Sequence, residues 1–424
     1  MKIKQIWQWV ECVILFSFLV IFYSSRLETT SFQPDESQWI GTSYVFEDYF
    51  HGDFDSPSWD ESYWTVTQPP LPRYLIGLGR MFGGLGVAAL NSPWDWNIDP
   101  QINLARGAMP SDQLLWWSRL PMGILAACSI LIGFFALKKF QGRFTGYLWI
   151  FLCSLTSFFP EMCCRAMGEA SLLACIAGIL LISDRLLQSS SCQKLIEKPE
   201  GLYVYLLFLG IVIGLAQSSK LNGLSAIGAA SAFVLIIISR MKQSRTLKIR
   251  FGLISFLILI LSSQLTFLAL NPYLWKKPLI RTGIMFVNRV NEMRLQQIAY
   301  PENKIEGLAE HIQVVTGRIF QSYSAIHFEG ALWINATFFL IGLAYLTWNA
   351  VQYLGRSNQN SAAVTMLLVG AATSIPSLFT PLDWDRYYLL PIYFSTLTIA
   401  VGIWRSGLFV YQSIGKQVNF RLKT

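Results

Sequence analysis

Ten apolar runs constrain what this chain of 424 residues can fold into more than any other feature. Each run is long enough, or nearly so, to cross the ~30 Å hydrocarbon core of a bilayer as a helix. The composition agrees, because 53% of the residues are hydrophobic, only 14% are charged, and the mean hydropathy is +0.42. We therefore predict an all-α polytopic membrane protein, a bundle of about 10–12 transmembrane helices. The runs cover residues 6–23, 118–137, 144–159, 168–183, 202–217, 223–239, 251–270, 331–348, 362–379 and 387–404.

The charge distribution sets the expected topology. The first run follows Lys2 and Lys4, and no small-residue cleavage site comes after it, so we expect a retained signal anchor with a cytoplasmic N-terminus. This orientation places cation-rich loops inside, among them Lys138 and Lys139, as the positive-inside rule requires. Nearly all the acids then fall outside. The net charge of +8 therefore fits an anionic inner leaflet and needs no nucleic-acid partner.

Two long segments separate the apolar runs and are expected on the outer side: residues 24–117, the first long segment, and residues 271–330, the second long segment. In the first, the helical spacing of Trp39, Ser43, Phe46 and Phe50 after Pro34 predicts an amphipathic helix on the membrane surface. A Pro-rich stretch then starts a second short helix that runs to about Phe82. The second long segment has two helical stripes and is expected to form a lid. The whole chain is interpreted as one transmembrane domain, residues 1–424.

The end of the first long segment is rich in aromatic residues, including Trp94 and Trp96 around Asp95. Trp at this depth typically anchors a protein at the membrane interface. Stacking on a sugar is the alternative function for these side chains.

Asp35 and Glu36 stand just past the first apolar run, in the sequence Gln33-Pro34-Asp35-Glu36. Pro suits the first position of a helix and acids suit its first turn, so a capped helix start is the structural alternative to a catalytic role. Neighbours on a helix point about 100° apart, so the two acids cannot face one pocket equally. Asp35 is therefore the proposed base, and Glu36 is expected to hold the helix start or to position the acceptor.

Charged residues recur at the outer ends of the apolar runs, at one expected depth: Arg119, Arg165, Glu169, Lys220 and Arg386. One such residue is usually a snorkelling anchor, but four cations at one level make a cradle for a phosphate. Since nucleotides are scarce outside the cytoplasm and no Walker motif is present, that phosphate most simply belongs to a lipid. If the lipid phosphate carries a sugar, it is a good leaving group with a second pKa of about 6. The chemistry then needs a base for the acceptor hydroxyl and no general acid.

These residues lie in motifs that together resemble the GT-C membrane glycosyltransferases. Within that group the chain is similar to the branch of protein O-mannosyltransferases and lipid A aminoarabinose transferases, which depend on a phospholipid carrier. The resemblance covers residues 6–225 and returns near 380–404. Its motifs are Asp35-Glu36, Gln68-Pro69-Pro70-Leu71-Pro72-Arg73-Tyr74, Ser118-Arg119-Leu120-Pro121, Cys164-Arg165-Ala166-Met167-Gly168-Glu169, Ser219-Lys220-Leu221-Asn222-Gly223 and Asp385-Arg386-Tyr387-Tyr388-Leu389-Leu390-Pro391.

The resemblance implies inverting transfer of a sugar, a hexose or a pentose, from a polyprenyl-monophosphate donor, at the extracytoplasmic face of a cytoplasmic or plasma membrane. It implies Asp35 as the base and Arg119 as a phosphate contact, with Lys220 and Arg386 at phosphate or cavity positions. Glu169 departs from the Asp often found at its position. We expect no soluble domain after the last apolar run, which would remove the clearest sign of a protein acceptor. The candidate residues are Asp35, Glu36 and Glu169 for catalysis, Arg119, Arg165, Lys220, Arg386 and Arg73 for donor binding, and Tyr74 and Tyr387 for the acceptor or cavity.

Other functions and partners stay open on the sequence. A lipid or solute transporter would place its charges at mid-bilayer between inverted repeats, whereas these cluster at one end and no repeat is visible. A hydrolase of lipid-linked sugars would use the same residues. The acceptor is a glycan, a lipid or a protein hydroxyl. No cofactor is required, and although Asp35, Glu36 and Glu169 could hold a divalent ion, their cationic neighbours make one less necessary.

Overall fold

The computed structural model describes residues 2–190, 200–324, 326, 328, 330–355 and 360–421. Within these residues the regular structure is helical, and strand pairing is limited to one isolated bridge between Lys304 and Leu382. The α-helices are α1 (Lys2–Ser24), α2 (Pro34–Gly41), α3 (Val45–Phe50), α4 (Ser58–Glu61), α5 (Tyr63–Thr67), α6 (Leu71–Phe82), α7 (Pro100–Ala105), α8 (Asp112–Gln141), α9 (Arg143–Leu155), α10 (Phe158–Cys164), α11 (Glu169–Ser190), α12 (Glu200–Ser219), α13 (Ala226–Arg240), α14 (Arg245–Ala269), α15 (Pro278–Ala299), α16 (Gly307–Gly317), α17 (Ala331–Gly355), α18 (Ala362–Ser374) and α19 (Leu389–Arg421).

The predicted apolar runs all coincide with helices of the bundle. In the described part of the chain, eight helices are long and apolar enough to cross a membrane, and the pair α9–α10, bent by 75°, makes a ninth if it is one span. The remaining run, residues 362–379, corresponds to a shorter apolar helix at Ala362–Ser377. The prediction of a polytopic all-α membrane protein is therefore confirmed.

Close packing fixes the position of α19, the helix that follows the candidate site residue Arg386. Gly342 of α17 and Gly402 of α19 face each other so closely that a Cβ on Gly402 would lie 1.9 Å from the carbonyl oxygen of Phe338. Small residues let transmembrane helices approach in this way, where lipid gives no hydrophobic drive to associate. The contact sets how α19 enters the bundle and so where Arg386, just before it, is held.

The first long segment packs onto the end of the bundle. After Pro34 the chain forms two short helices, α2 and α3, because it turns at residues 42–44. Trp39 and Phe46, expected on a membrane-surface helix, are instead both buried within the protein. The predicted short helix to Phe82 is present as α6.

The second long segment is fastened to two other parts of the chain. At the start of α15, Arg281 Nη1 donates to Asp60 Oδ1 at 2.5 Å, and Lys276 pairs with the same carboxylate. Further on, the Asp383 N–H donates to the Asn303 carbonyl at 2.8 Å beside the bridge described above. These contacts hold α15 against the first long segment and the approach to α19.

Candidate active site

The start of α2 separates the two neighbouring acids. The Gln33 side chain accepts a hydrogen bond from the Asp35 N–H at 2.6 Å, and the Gln33 N–H donates to Glu36 Oε2 at 3.1 Å. This is a capping box, in which a side chain at the third helical position turns back to the helix start. Glu36 is thereby directed into the protein and is fully buried, whereas Asp35 faces a cavity.

Glu36 forms a buried ion pair with Arg119 of α8. Arg119 Nε and Nη2 donate to the two carboxylate oxygens at 2.8 and 2.6 Å, and the Ala166 N–H donates to Oε1 at 2.8 Å. The remaining Arg119 donors reach three carbonyl oxygens within residues 27–31 at 2.5–3.4 Å. All the donors of Arg119 are therefore used inside the protein, and Arg119 does not line the cavity.

Asp35 pairs with Arg386, which lies in the turn just before α19. Arg386 Nη1 donates to Asp35 Oδ2. Both side chains are mostly but not fully buried, since Arg386 is 19% exposed and Asp35 is 13% exposed. The Arg386 guanidinium also lies 4.6 Å from the ring centre of Trp384. The pair is partly open to solvent, and Trp384 also holds the Arg386 guanidinium in place. An anion that enters the cavity can therefore replace Asp35 as the partner of Arg386.

A second ion pair lies beside the first. Lys220, just after α12, donates to Glu169 Oε1 at 2.5 Å, and Glu169 is 2% exposed. Glu169 Oε2 has no hydrogen-bond partner in the described structure. The Glu169 carboxylate is within electrostatic reach of Arg386, so four charges from distant parts of the chain form one group.

Arg165 adds a third cation to this group. It follows α10, and its Nη2 donates to Ser31 Oγ at 3.3 Å. Its Nε is buried and has no partner among the described residues. A buried guanidinium nitrogen without an acceptor favours binding of an anion at this position.

These residues share one large cavity of about 1440 Å³ at the end of the bundle. The first long segment, the ends of transmembrane helices, α15 and the approach to α19 all contribute to its walls. Six of the predicted residues line it, namely Asp35, Arg165, Glu169, Lys220, Arg386 and Tyr387.

Four predicted residues lie outside this cavity lining, and two of them, Glu36 and Arg119, are described above. Arg73 is fully buried, donates from Nε to Thr42 Oγ1 at 2.8 Å, and stacks at 4.4 Å on Trp39. Burial lowers the pKa of Arg73 to about 9. Arg73 does not line the cavity itself, but it supports Trp39, which does.

Tyr74 also points away from the cavity. Its hydroxyl donates to the Leu270 carbonyl at 2.8 Å, and its ring packs against Tyr49 at 4.8 Å. Tyr74 therefore does not line this cavity. Tyr74 fixes α6 to the end of α14. Its neighbour Arg73 contacts α2 instead, because consecutive residues on a helix point in different directions.

Sequence reasoning missed a polar face on α15. Arg289 Nη1 donates to Glu292 Oε2 at 2.6 Å, and Arg289 Nη2 donates to the Tyr387 hydroxyl at 3.2 Å. Burial and then the Glu292 carboxylate raise the pKa of Tyr63 across the cavity to about 12. The available signal was an opposite-charge pair at i,i+3 spacing within the helix.

The acids of the site are engaged with cations. In the described residues, no group of three or more His, Cys, Asp or Glu side chains is placed to hold a metal ion. Of the three acids that could have shared a divalent ion, Glu36 is committed to Arg119, whereas Asp35 and Glu169 face the cavity in separate ion pairs.

The turn that carries Lys220 gives a testable prediction. The Gly223 N–H donates to the Lys220 carbonyl at 2.8 Å, and a Cβ on Gly223 would lie 2.4 Å from the backbone of Ala216. Gly223→Ala should therefore displace the turn, lower stability by about 1–3 kcal/mol, and weaken binding of an anionic lipid. Thermal unfolding and lipid content of the purified protein measure both effects.

Gly228→Ala is the matched control, since a Cβ there has open space. In a helix interior this change should be neutral or stabilising by about 0.5–1 kcal/mol. If Gly223→Ala behaved like Gly228→Ala, the turn would not be what positions Lys220.

Comparisons with known proteins identify the fold. No protein-family model and no curated protein matches the sequence. The crystal structure of ArnT from Cupriavidus metallidurans bound to undecaprenyl phosphate matches with a TM-score of 0.52 and 14% identity, over 93% of this chain and 60% of that one. The Archaeoglobus fulgidus oligosaccharyltransferase tethered to an acceptor peptide matches with a TM-score of 0.50 and 10% identity, over 95% of this chain and 50% of that one.

The chain thus spans about 60% and about half of the lengths of these two proteins. At such low identity the likeness shows the fold alone. The chain has the fold of the GT-C membrane glycosyltransferases, the fold that its sequence motifs resemble.

Proposed function

We propose that the protein is an inverting glycosyltransferase that moves a hexose or pentose from a polyprenyl-monophosphate donor to a hydroxyl acceptor. The observation that carries the proposal is the meeting of Asp35 with Arg386, Lys220 and Arg165 in one cavity at the ends of transmembrane helices. A carboxylate beside three cations suits a reaction that binds a phosphate and removes a proton. The shared fold adds support, since ArnT was crystallised with undecaprenyl phosphate, a lipid of the proposed donor class.

Donor binding follows from the two ion pairs of the site. The donor phosphate can replace Asp35 as the partner of Arg386 and Glu169 as the partner of Lys220. A donor phosphate has two free oxygens, so one can accept from Arg386 and the other from Lys220 in charge-assisted hydrogen bonds. Binding would therefore free the Asp35 carboxylate at the moment when the sugar arrives next to it.

The reaction then needs one base. Asp35 accepts the proton of the acceptor hydroxyl, whose oxygen attacks the anomeric carbon from the side opposite the phosphate. The bond from that carbon to the phosphate oxygen breaks, and the polyprenyl phosphate leaves with the electron pair. Arg386, Lys220 and Arg165 stabilise the charge that grows on the phosphate. Attack from the opposite side inverts the anomeric configuration.

The charge distribution supports an extracytoplasmic site. On α8, Arg119 lies near the end at the cavity, while Lys138 and Lys139 lie at the other end and pair with Glu11 and Asp184. Cation-rich ends of transmembrane helices favour the cytoplasm. The proposed reaction therefore takes place at the extracytoplasmic face of a cytoplasmic or plasma membrane.

Lipid that co-purifies with the protein tests this proposal. Mass spectrometry of gently purified wild-type protein should find a polyprenyl monophosphate, with or without its sugar, at a level above that of the surrounding membrane. Arg386→Gln and Lys220→Gln should lose most of it, because each removes one cation from the phosphate.

Arg143→Gln is the matched control, since Arg143 is 54% exposed at the other end of the bundle. It should retain the lipid. Finding only bulk phospholipid, or equal polyprenyl phosphate in all four proteins, would contradict the proposal.

A further inference from the structure

Four aromatic side chains form a continuous row along the cavity wall. The ring centres of Trp96 and Tyr300 are 6.4 Å apart, those of Tyr300 and Trp384 are 6.1 Å apart, and those of Trp384 and Tyr387 are 5.9 Å apart. All four residues, here called the aromatic row, line the cavity. The row draws on the first long segment, the end of α15 and the approach to α19.

One end of the aromatic row is at the proposed base. Trp384 and Tyr387 lie 4.6 and 5.7 Å from the guanidinium of Arg386, which pairs with Asp35. Burial, and after it the Asp35 carboxylate, raises the pKa of Tyr300, so this ring also lies close to the base.

The other end of the aromatic row is open to solvent. Trp96 is 47% exposed, although it lies in a cavity wall. The row therefore leads from solvent to the carboxylate that is proposed to receive the acceptor proton. The donor would bind elsewhere in the cavity. Its phosphate would contact Arg386, Lys220 and Arg165, and its lipid tail must stay in the membrane.

Polar groups accompany the aromatic faces. The Arg289–Glu292 pair reaches the Tyr387 hydroxyl at one end, and Asp95 accepts from Asn97 at 3.1 Å near Trp96 at the other. These four residues also line the cavity. Flat apolar faces flanked by carboxylate, amide and guanidinium groups match a sugar ring, which presents a C–H face together with a rim of hydroxyls.

We propose that the aromatic row is the acceptor subsite and that the acceptor is a glycan. A terminal sugar would stack on Trp384 and Tyr300 with one hydroxyl at Asp35, while preceding sugars would extend past Trp96 to solvent. This inference rests on the proposed glycosyl transfer. It adds the chemical class of the acceptor, whose oxygen forms the new bond to the anomeric carbon while its proton passes to Asp35.

Saturation-transfer NMR on the purified full-length protein tests the proposal without any transfer reaction. The probes are a pool of mannose, glucose and galactose di- to hexasaccharides and, separately, a decapeptide rich in Ser and Thr. Wild type and Asp35→Asn should both saturate sugar ring protons in the pool. Trp96→Ala should weaken the apparent affinity about fivefold, as expected for loss of one stacking face, and Trp96→Phe should restore most of it.

Trp348→Ala is the matched control, because Trp348 is 63% exposed on α17 and lies outside the cavity lining. It should bind as wild type does. Saturation of the peptide alone, saturation of neither probe, or equal sugar binding by Trp96→Ala and wild type would overturn the inference. Trp96 is exposed enough that its replacement should not impair folding.

The two proposals fail in different ways. If sugars bind through the aromatic row but Asp35→Asn still transfers sugar, the proposed mechanism falls and the glycan site stands. If transfer depends on Asp35 but only the peptide binds, the glycan acceptor falls and the transferase stands.

Discussion

Asp35→Asn should reduce sugar transfer by roughly 10²–10⁴-fold, the usual contribution of a positioned base. Asn has nearly the same shape as Asp but cannot take the acceptor proton. The change should not disturb the helix start, because Gln33 bonds to the backbone N–H of residue 35 and to the Glu36 side chain. Single-turnover transfer from a labelled polyprenyl-phosphate sugar measures the loss.

Donor binding should survive in the same variant. Removing the Asp35 charge leaves Arg386 without its carboxylate partner, so the guanidinium is more available to a phosphate. Asp35→Asn should therefore co-purify at least as much polyprenyl phosphate as wild type.

Asp112→Asn is a suitable control, since Asp112 is exposed in the first turn of α8 and lies outside the cavity lining. It should transfer sugar at the wild-type rate. An Asp35→Asn protein with full activity would rule out Asp35 as the base. A lipid that crosses the membrane unchanged, with no transfer in either protein, would favour a transporter.

The membrane bundle could be predicted from the sequence because the bilayer imposes it. A ~30 Å hydrocarbon core allows only helices whose backbone groups are paired internally, so each long apolar run has one solution. The different roles of Asp35 and Glu36 could also be predicted, since consecutive residues on a helix point about 100° apart. The structure adds the capping box that selects which acid turns inward.

The direction in which each charged side chain points could not be predicted from the sequence. Position along a span gives the depth of a residue but not which side of the helix meets the cavity. Arg119 and Lys220 were expected at one depth, yet Arg119 faces Glu36 in the interior and Lys220 faces the cavity. Only the packing of α8 against α2 and the turn before it decides this.

The largest differences between the predicted and the observed structure lie in the two long segments, for a related reason. Trp96 lines the cavity, a position that the sequence did not predict. Outside the bilayer an aromatic side chain has two good environments, lipid headgroups and a packed protein wall. Local sequence does not distinguish them, because the choice depends on contacts with residues far along the chain, such as Tyr300.

Arg119→Met should cost about 3–5 kcal/mol of stability, the typical result of removing one member of a buried ion pair. Glu36 is fully buried and Arg119 is 1% exposed, so the variant would leave a buried carboxylate without its cation, together with carbonyl oxygens in residues 27–31. Thermal unfolding in detergent and the yield of folded protein measure the loss. Arg165→Met should cost far less, because Arg165 lies at the cavity with one long side-chain hydrogen bond.

Binding of the donor separates a structural role of Arg119 from the direct phosphate contact that the family resemblance implies. The fraction of Arg119→Met that folds should bind polyprenyl phosphate nearly as wild type does, whereas Arg165→Met should bind it less well. Adding Glu36→Gln to Arg119→Met should recover part of the lost stability, because the buried charge is then gone. An Arg119→Met protein that is as stable as wild type but binds the donor weakly would show instead that Arg119 leaves Glu36 to hold the phosphate.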